Sequence, residues 1–261
     1  LIKLLLGLVR PNQGTVRVSG IDPAGGHGAE ARRVLGYLPE NVAFHGAMTG
    51  TELMAFYAGL KRHPPQRNRE LLALVGIADA ANRRVATYSK GMRQRLGIAQ
   101  ALIGEPQLLL FDEPTSGLDP ASRLDVFNTI DLLRKRGATV LVCTHALAEV
   151  EQRVDRVAVM HGGRLLAAGT LEQLREGLAP DAGLRVRVRS AATDDLLARL
   201  PPGSRCTGRT DHTLALRVPA AEKLAVLQAL SAMGGEVEDI DTVTPGLEDL
   251  YRRLVQPEAT A

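Results

Sequence analysis

Two adjacent carboxylates, Asp112 and Glu113, close the apolar run Leu108-Leu109-Leu110-Phe111, and His145 directly follows the next such run, Thr139–Thr144. An unbroken apolar run of this length suits a central parallel strand, buried on both faces. In open α/β sheets ligands bind at the carboxyl edge of the strands, so all three side chains fall where chemistry is done. Mg²⁺ takes few carboxylates and fills its shell with phosphate oxygens and water, a role that suits Asp112. Taken alone, the pair could equally be carboxylates capping a strand. A third ingredient lies upstream. Ser89-Lys90-Gly91-Met92 opens a stretch in which Met92, Leu96, Ala99 and Ile103 recur at helical spacing. A helix start points N–H groups and the positive dipole end at an anion, and Ser89 adds a hydroxyl. Without the neighbouring strand it would read as an ordinary Ser-capped helix.

In order and spacing, Tyr88-Ser89-Lys90-Gly91-Met92-Arg93-Gln94-Arg95, then Leu108–Pro114, then Ser116-Gly117-Leu118-Asp119 resemble the signature motif, Walker B strand and D-loop of the ATP-binding cassette (ABC) ATPases. The resemblance covers residues 1 to about 178. It implies ATP and Mg²⁺ as ligands, with Asp112 on the metal and Glu113 as the general base that polarises the attacking water. It also implies that His145 is the switch histidine touching the γ-phosphate. Ser89, Lys90, Gly91 and Met92 would meet the γ-phosphate of ATP held by a second subunit, although Lys90 and Met92 stand where the commonest form has Gly and Gln. Asp119 would lie at the dimer interface; its bland alternative is a turn residue before Pro120. Glu40, in Gly36-Tyr37-Leu38-Pro39-Glu40, occupies the Q-loop position, where Gln is usual, and still offers an oxygen to Mg²⁺ or water. A Gly-rich loop ending in Lys-Ser/Thr, which cradles phosphates with backbone N–H groups, matches no segment of residues 1–261. Leu1–Leu8 reads as a helix apolar nearly all round, so the expectation is that an N-terminal piece carrying that loop is absent and that the chain by itself is inactive.

The elements that must hold these residues follow from pattern. Thr15–Val18 alternates like a strand, Gly25–Gly28 reads as a loop with His27 facing solvent, and Arg33–Leu38 reads as a second strand. Thr49 with Glu52 has capping-box spacing and opens a helix to Leu60. A Pro-containing linker leads into more helix, to about Ile77. Gly104-Glu105-Pro106 stops the helix begun at Ser89. Pro120 to Arg136 is a helix, and Arg156–Met160 with Arg164–Ala167 is a hairpin around His161-Gly162-Gly163. Thr170 with Gln173 caps another helix. The expected fold is an α/β, P-loop NTPase-like ABC ATPase core with a helical subdomain, incomplete at its N-terminus, over residues 1–178. A boundary at Ala179–Gly183 precedes an accessory module, 183–261, in βαββαβ order, the ferredoxin-like order, ending in a short helix, Leu247–Leu254. On its first strand Arg185, Arg187 and Arg189 alternate, which reads as a solvated edge.

Composition narrows the partners. A net charge of +3 over 261 residues, no Trp and 3% aromatics give no base-stacking platform, so nucleic acid is not expected. Cys143 and Cys206 stand apart, which fits a reducing compartment and no structural zinc. No apolar run reaches the roughly 20 residues of a membrane span. The resemblance therefore implies a homodimer of ATPase subunits that works through an integral membrane permease, on the cytoplasmic side of a bacterial inner membrane. More narrowly, Pro39-Glu40-Asn41-Val42-Ala43-Phe44-His45 and the tail at Pro245–Leu254 are similar to the ATPase of the copper-linked maturation transporter for nitrous oxide reductase. That similarity would add a periplasmic maturation protein as an indirect partner. A drug, lipid or polysaccharide exporter, or a non-catalytic assembly module, are the other two readings.

Overall fold

A computed structural model describes residues 1–178, 181–189 and 193–256. The chain divides into two compact units, Leu1–His145 and Ala146–Ala261. Compactness thus cuts earlier than the change in sequence pattern near 179–183. Residues 179 and 180 of that stretch lie outside the described residues.

The first unit contains α1 (Ile2–Leu5), α2 (Gly28–Arg33), β1 (Leu35–Leu38), α3 (Gly50–Leu60), α4 (Asn68–Leu74), α5 (Lys90–Ala101), β2 (Leu108–Asp112), α6 (Pro120–Lys135) and β3 (Thr139–Cys143). Its sheet is parallel, in the order β1-β2-β3, with Leu38 beside Phe111 and Asp112 beside Cys143. Successive side chains of a strand point to opposite faces. Leu109 and Phe111 enter a large helical core with Leu96, Ile98 and Val126, while Leu110 enters a smaller one with Ile2, Leu6, Ala31 and Leu35. Both faces of β2 are therefore covered, which is why its sequence is apolar without alternation. The helical subdomain α3–α5 leaves the sheet after β1 and returns at β2. Thr49 and Glu52 form the expected reciprocal cap of α3: the Glu52 amide donates to Thr49 Oγ1 at 3.2 Å and the Thr49 amide to Glu52 Oε2 at 2.8 Å.

Three expectations fail in this unit. Thr15–Val18 forms no strand. Among the described residues Val18 pairs only with Ile21, across a tight turn in which Ser19 and Gly20 both have positive φ, and no neighbour extends the ladder. The glycine run before residue 28 hides α2, which starts at Gly28 and buries Ala31 completely. The opening segment is not buried all round either. Ile2 and Leu6 are buried, whereas Leu1 and Leu8 are 58% and 66% exposed, so one stripe of a very short helix does the packing.

The second unit begins with α7 (Leu147–Val150), which the sequence did not signal, and the hairpin β4 (Val157–His161) and β5 (Arg164–Gly169). Then come α8 (Leu171–Leu178), β6 (Ala182–Val188), α9 (Thr193–Ala198), β7 (Arg205–Thr210), β8 (Thr213–Val218), α10 (Lys223–Ala232), β9 (Val237–Val243) and α11 (Leu247–Val255). Thr170 and Gln173 cap α8 reciprocally, as expected. The four-stranded sheet is antiparallel, in the order β7-β8-β6-β9. Leu184, Val186, Leu214 and Leu216 point to one face and pack with Leu196 of α9 and Val226 and Leu230 of α10. Because β6 lies between β8 and β9, its arginines do not line an edge. They stand on the solvated face of an interior strand, where Arg187 pairs with Asp239 at 3.2 Å and Arg189 with Glu238 at 3.5 Å. Glu151 ties the start of α11 to α8: one oxygen accepts from the Leu247 amide at 3.0 Å, the other from Arg175 at 2.9 Å.

Candidate functional site

Parallel β1, β2 and β3 end together, so whatever follows them in sequence gathers at one edge. Asp112 is the last residue of β2. Glu113 then turns the chain with φ of +48°, a left-handed backbone that a residue with a β-carbon seldom adopts. Such a conformation costs on the order of 1–2 kcal/mol. Here it is held from both ends. The Glu113 amide donates to the Cys143 carbonyl at 2.8 Å, continuing the ladder to β3 for one more residue. Its carboxylate bends back over the end of β3. Oε1 accepts from the His145 amide at 3.0 Å and lies 2.8 Å from His145 Nδ1, while Oε2 accepts from Thr144 Oγ1 at 3.2 Å. The Glu113 side chain is 19% exposed and that of His145 81%. A half-sheltered carboxylate is thus fixed in direction and faces outward through an exposed imidazole.

Asp112 sits beside this clasp and is itself half-buried. Its negative charge is felt by two neighbours. Burial raises the Tyr37 phenol above its ordinary value, and Asp112 pushes it the same way. The Cys143 thiol is raised first by burial and next by Asp112. No group of three or more metal-binding side chains exists among the described residues. The donor set fits Mg²⁺ nonetheless, since that ion keeps water and phosphate oxygens in most of its shell and needs one or two carboxylates. Asp112 is the residue that would hold it, and the bound ion would supply positive charge to phosphate oxygens. Glu40 is less committed. It lies exposed, two residues past β1, and among the described residues no hydrogen bond or ion pair joins it to Asp112.

The residues of the signature segment gather at the N-terminus of α5. Ser89 caps the helix, its Oγ accepting from the Met92 amide at 3.1 Å. The first N–H groups of a helix have no partner within it; Ser89 takes up that of Met92, and of the segment Ser89 and Lys90 are exposed while Gly91 is buried. Beside it lies the start of α6. Asp119 caps α6, one oxygen accepting from the Ser122 amide at 3.0 Å and the other from the Ser122 hydroxyl at 2.7 Å. These donors lower the Asp119 carboxyl below its ordinary value, the backbone amide of Ser122 first. The turn reading of Asp119 therefore gives way to a helix cap. The two helix starts touch: a β-carbon on Gly91 would lie 2.5 Å from Ser122 Oγ, and one on Gly117 would lie 2.2 Å from Lys90 Nζ. Lys90 thus reaches across the loop that precedes Asp119, and Gly117, with φ of +63°, leaves it room.

So the structure joins Glu113 to His145 directly and places Asp112 next to them. It joins Ser89–Met92 to Asp119 in a second group through Ser122. Sequence reasoning missed Thr144 and Ser122, the two hydroxyl residues that orient the carboxylates. Their signals were present but faint: a threonine just before His145, and a serine three residues after Asp119.

A parallel sheet with orienting hydroxyls, paired carboxylates and a histidine at its carboxyl edge, beside an exposed helix start, defines an α/β phosphate-handling domain. Comparison with known proteins makes this definite. The ABC transporter family model matches residues 1–116. The chain is 34% identical over 262 aligned residues to the daunorubicin resistance ATP-binding protein DrrA3 of Streptomyces coeruleorubidus, spanning 97% of this chain and 82% of that one. It is 38% identical over 194 residues to the daunorubicin/doxorubicin resistance ATP-binding protein DrrA of Streptomyces peucetius, covering 73% of this chain and 58% of the relative. A solved structure described as the ATP binding subunit of an ABC transporter superposes with a TM-score of 0.60 at 30% identity, covering 67% of this chain and 75% of that one. The chain belongs to the ATP-binding subunits of ABC transporters. No helix among the described residues is long and apolar enough to cross a membrane.

Proposed function

We propose that this chain is the ATP-hydrolysing subunit of an exporter of small amphipathic compounds, acting as a homodimer on a membrane permease. The observation that carries the catalytic part is the clasp at Glu113: a carboxylate in a strained turn, aimed by Thr144 and His145 at the carboxyl edge of the sheet. In this reading Glu113 polarises the water that attacks the γ-phosphate. A positioned general base contributes about 10²–10⁴-fold. His145 holds Glu113 and meets the γ-phosphate with its exposed ring. Asp112 would hold Mg²⁺, with Glu40 as the second candidate ligand. Ser89, Lys90, Gly91 and Met92 meet the nucleotide of the opposite subunit, and Asp119 lies at the interface between the two. Ser89 and Lys90 at the start of α5 are exposed, which supports an intermolecular role. Attachment to a permease places the subunit on the cytoplasmic face of a bacterial inner membrane.

Cargo is argued from the relatives. Two of them carry the name of resistance to daunorubicin, which favours export of a drug-like molecule. The copper-maturation reading, with its periplasmic partner, rests on Gly36–His45, Met48-Thr49-Gly50, Tyr88–Arg95 and the tail at Pro245–Leu254. The residues from 183 onward are proposed as a ferredoxin-like accessory module without a catalytic role, a reading supported by the strand order β7-β8-β6-β9. Deleting the gene in the source organism tests the cargo. Sensitivity to anthracyclines or related amphiphiles is the expected result. Normal drug tolerance combined with a nitrous oxide reductase short of copper would replace the export reading with the maturation one.

A further inference from the structure

The four-stranded sheet has one face covered by α9 and α10, and the other face carries a cavity of about 310 Å³. Its existence follows from small residues at the centre of that face. Gly183 on β6 stands beside Arg217 on β8, and Arg185 on β6 stands beside Ala215 on β8. Long and short side chains therefore alternate on a diagonal, and the short pair leaves a hollow between two guanidinium groups. The last helix closes one side. Asp249, Arg252 and Arg253 of α11 line the cavity, as residues three and four apart share one helix face. Leu247 and Leu250, on its other side, are buried and fix the helix in place.

Charge in this cavity is not balanced. Four guanidinium groups, those of Arg185, Arg217, Arg252 and Arg253, meet only two carboxylates, Asp181 and Asp249. Arg217 comes no nearer to Asp249 than 4.0 Å. Arg185, Arg252 and Arg253 form no ion pair among the described residues. Arg187 and Arg189 each form an ion pair with an acid of β9, whereas Asp241, opposite Arg185 on β9, forms none with it among the described residues. Guanidinium groups bind phosphate through paired, charge-assisted hydrogen bonds. Val243 and Pro245 add an apolar wall. The volume lies at the lower end of the roughly 300–1,000 Å³ of small-molecule sites.

We propose that this cavity is a ligand site for a compact organic phosphate monoester, its dianion held by Arg185, Arg217, Arg252 and Arg253 and its carbon end lying on Val243 and Pro245. The site lies wholly within the second unit and uses none of the residues assigned to ATP. The phosphate could come from a soluble metabolite or from a lipid headgroup.

Calorimetric titration of the full chain with phenyl phosphate, without ATP or Mg²⁺, is the test. One-to-one binding is expected. Arg217→Gln should weaken it about tenfold, the size expected when a hydrogen bond to a charged group is lost. Ala215→Leu, which fills the hollow from the solvated face, should abolish it. Arg252→Gln, on the exposed surface of a helix, repeats the test if Ala215→Leu fails to fold. Glycerol phosphate and vesicles carrying phosphatidic acid then separate the sources, and capture of either one supports the site. Absence of binding to all three probes would overturn the proposal. So would binding that survives both Arg217→Gln and Arg252→Gln unchanged, or equal binding of succinate, which would show a site for any dianion.

Discussion

At the scale of single residues the account turns on how Glu113 is aimed. Among the described residues the His145 amide and ring and the Thr144 hydroxyl direct its carboxylate, and the Thr144 side chain takes no part in the proposed chemistry. Thr144→Val keeps the shape and removes the donor. A hydrogen bond to a charged group is worth about 1.5–3 kcal/mol, so turnover in the native protein should fall about tenfold or more with ATP binding unchanged. Thr144→Ser should restore it. Equal activity of the Val and Thr forms would remove Thr144 from the positioning role. Asp119 makes a second residue-scale claim, this one about pH. Its folded carboxyl is held below its ordinary value by the Ser122 amide and hydroxyl. Its contribution to stability is therefore present above the unfolded value, about 3.9, and is lost as pH falls through the folded value. Glu52 in the cap of α3 behaves in the same direction, lowered chiefly by the Thr49 amide. Denaturant unfolding of Asp119→Asn between pH 6 and 2 should show a shallower acid limb than the parent chain. An identical limb would mean that the cap does not contribute.

Elements were legible where local chemistry alone decides them. Thr49 and Glu52, Ser89, and Thr170 with Gln173 each announced a helix start, and each is a cap in the structure. Thr49→Ala should lower stability by about 1 kcal/mol, as for other caps; a midpoint unchanged in urea would contradict this. Signals failed where the outcome depends on partners far along the chain. Thr15–Val18 has the alternation of a strand, but among the described residues no strand lies beside it to complete a ladder. The glycines before α2 mask a helix that exists because Ala31 packs with Leu35 and Leu110. Arg185, Arg187 and Arg189 were legible as one face, yet whether a strand is interior or at an edge is a matter of topology and not of its own sequence. Close packing between elements was also invisible. A β-carbon on Gly36 of β1 would lie 2.4 Å from the Ala101 carbonyl oxygen at the end of α5, and that backbone atom cannot yield like a side chain. Gly36→Ala should therefore destabilise the chain by roughly 1–3 kcal/mol through overpacking. A melting temperature equal to that of the parent would show that α5 can shift away from the sheet.

For the whole molecule, the site was legible in outline because its residues sit in short motifs at the ends of strands and helices. Asp112, Glu113 and His145 could be placed at one edge by counting strands. What could not be seen was the bond between Glu113 and His145, since 32 positions separate them and only the parallel pairing of β2 with β3 brings them together. In the proposed reading Ser89, Lys90, Gly91 and Met92 serve the nucleotide of a second subunit. No segment of residues 1–261 matches a Gly-rich phosphate loop. The protein isolated from its source cells together with its membrane partner is expected to hydrolyse ATP with Mg²⁺. The most direct measurement compares that native assembly with its Glu113→Gln form, following nucleotide binding and phosphate release in parallel. The amide keeps the size of the side chain but cannot accept a proton from water. Unchanged ATP binding with phosphate release reduced by at least about 10²-fold is the expected result. Phosphate release at the parent rate would contradict the assignment of Glu113 as the base, and with it the account of why the chain is strained at that turn.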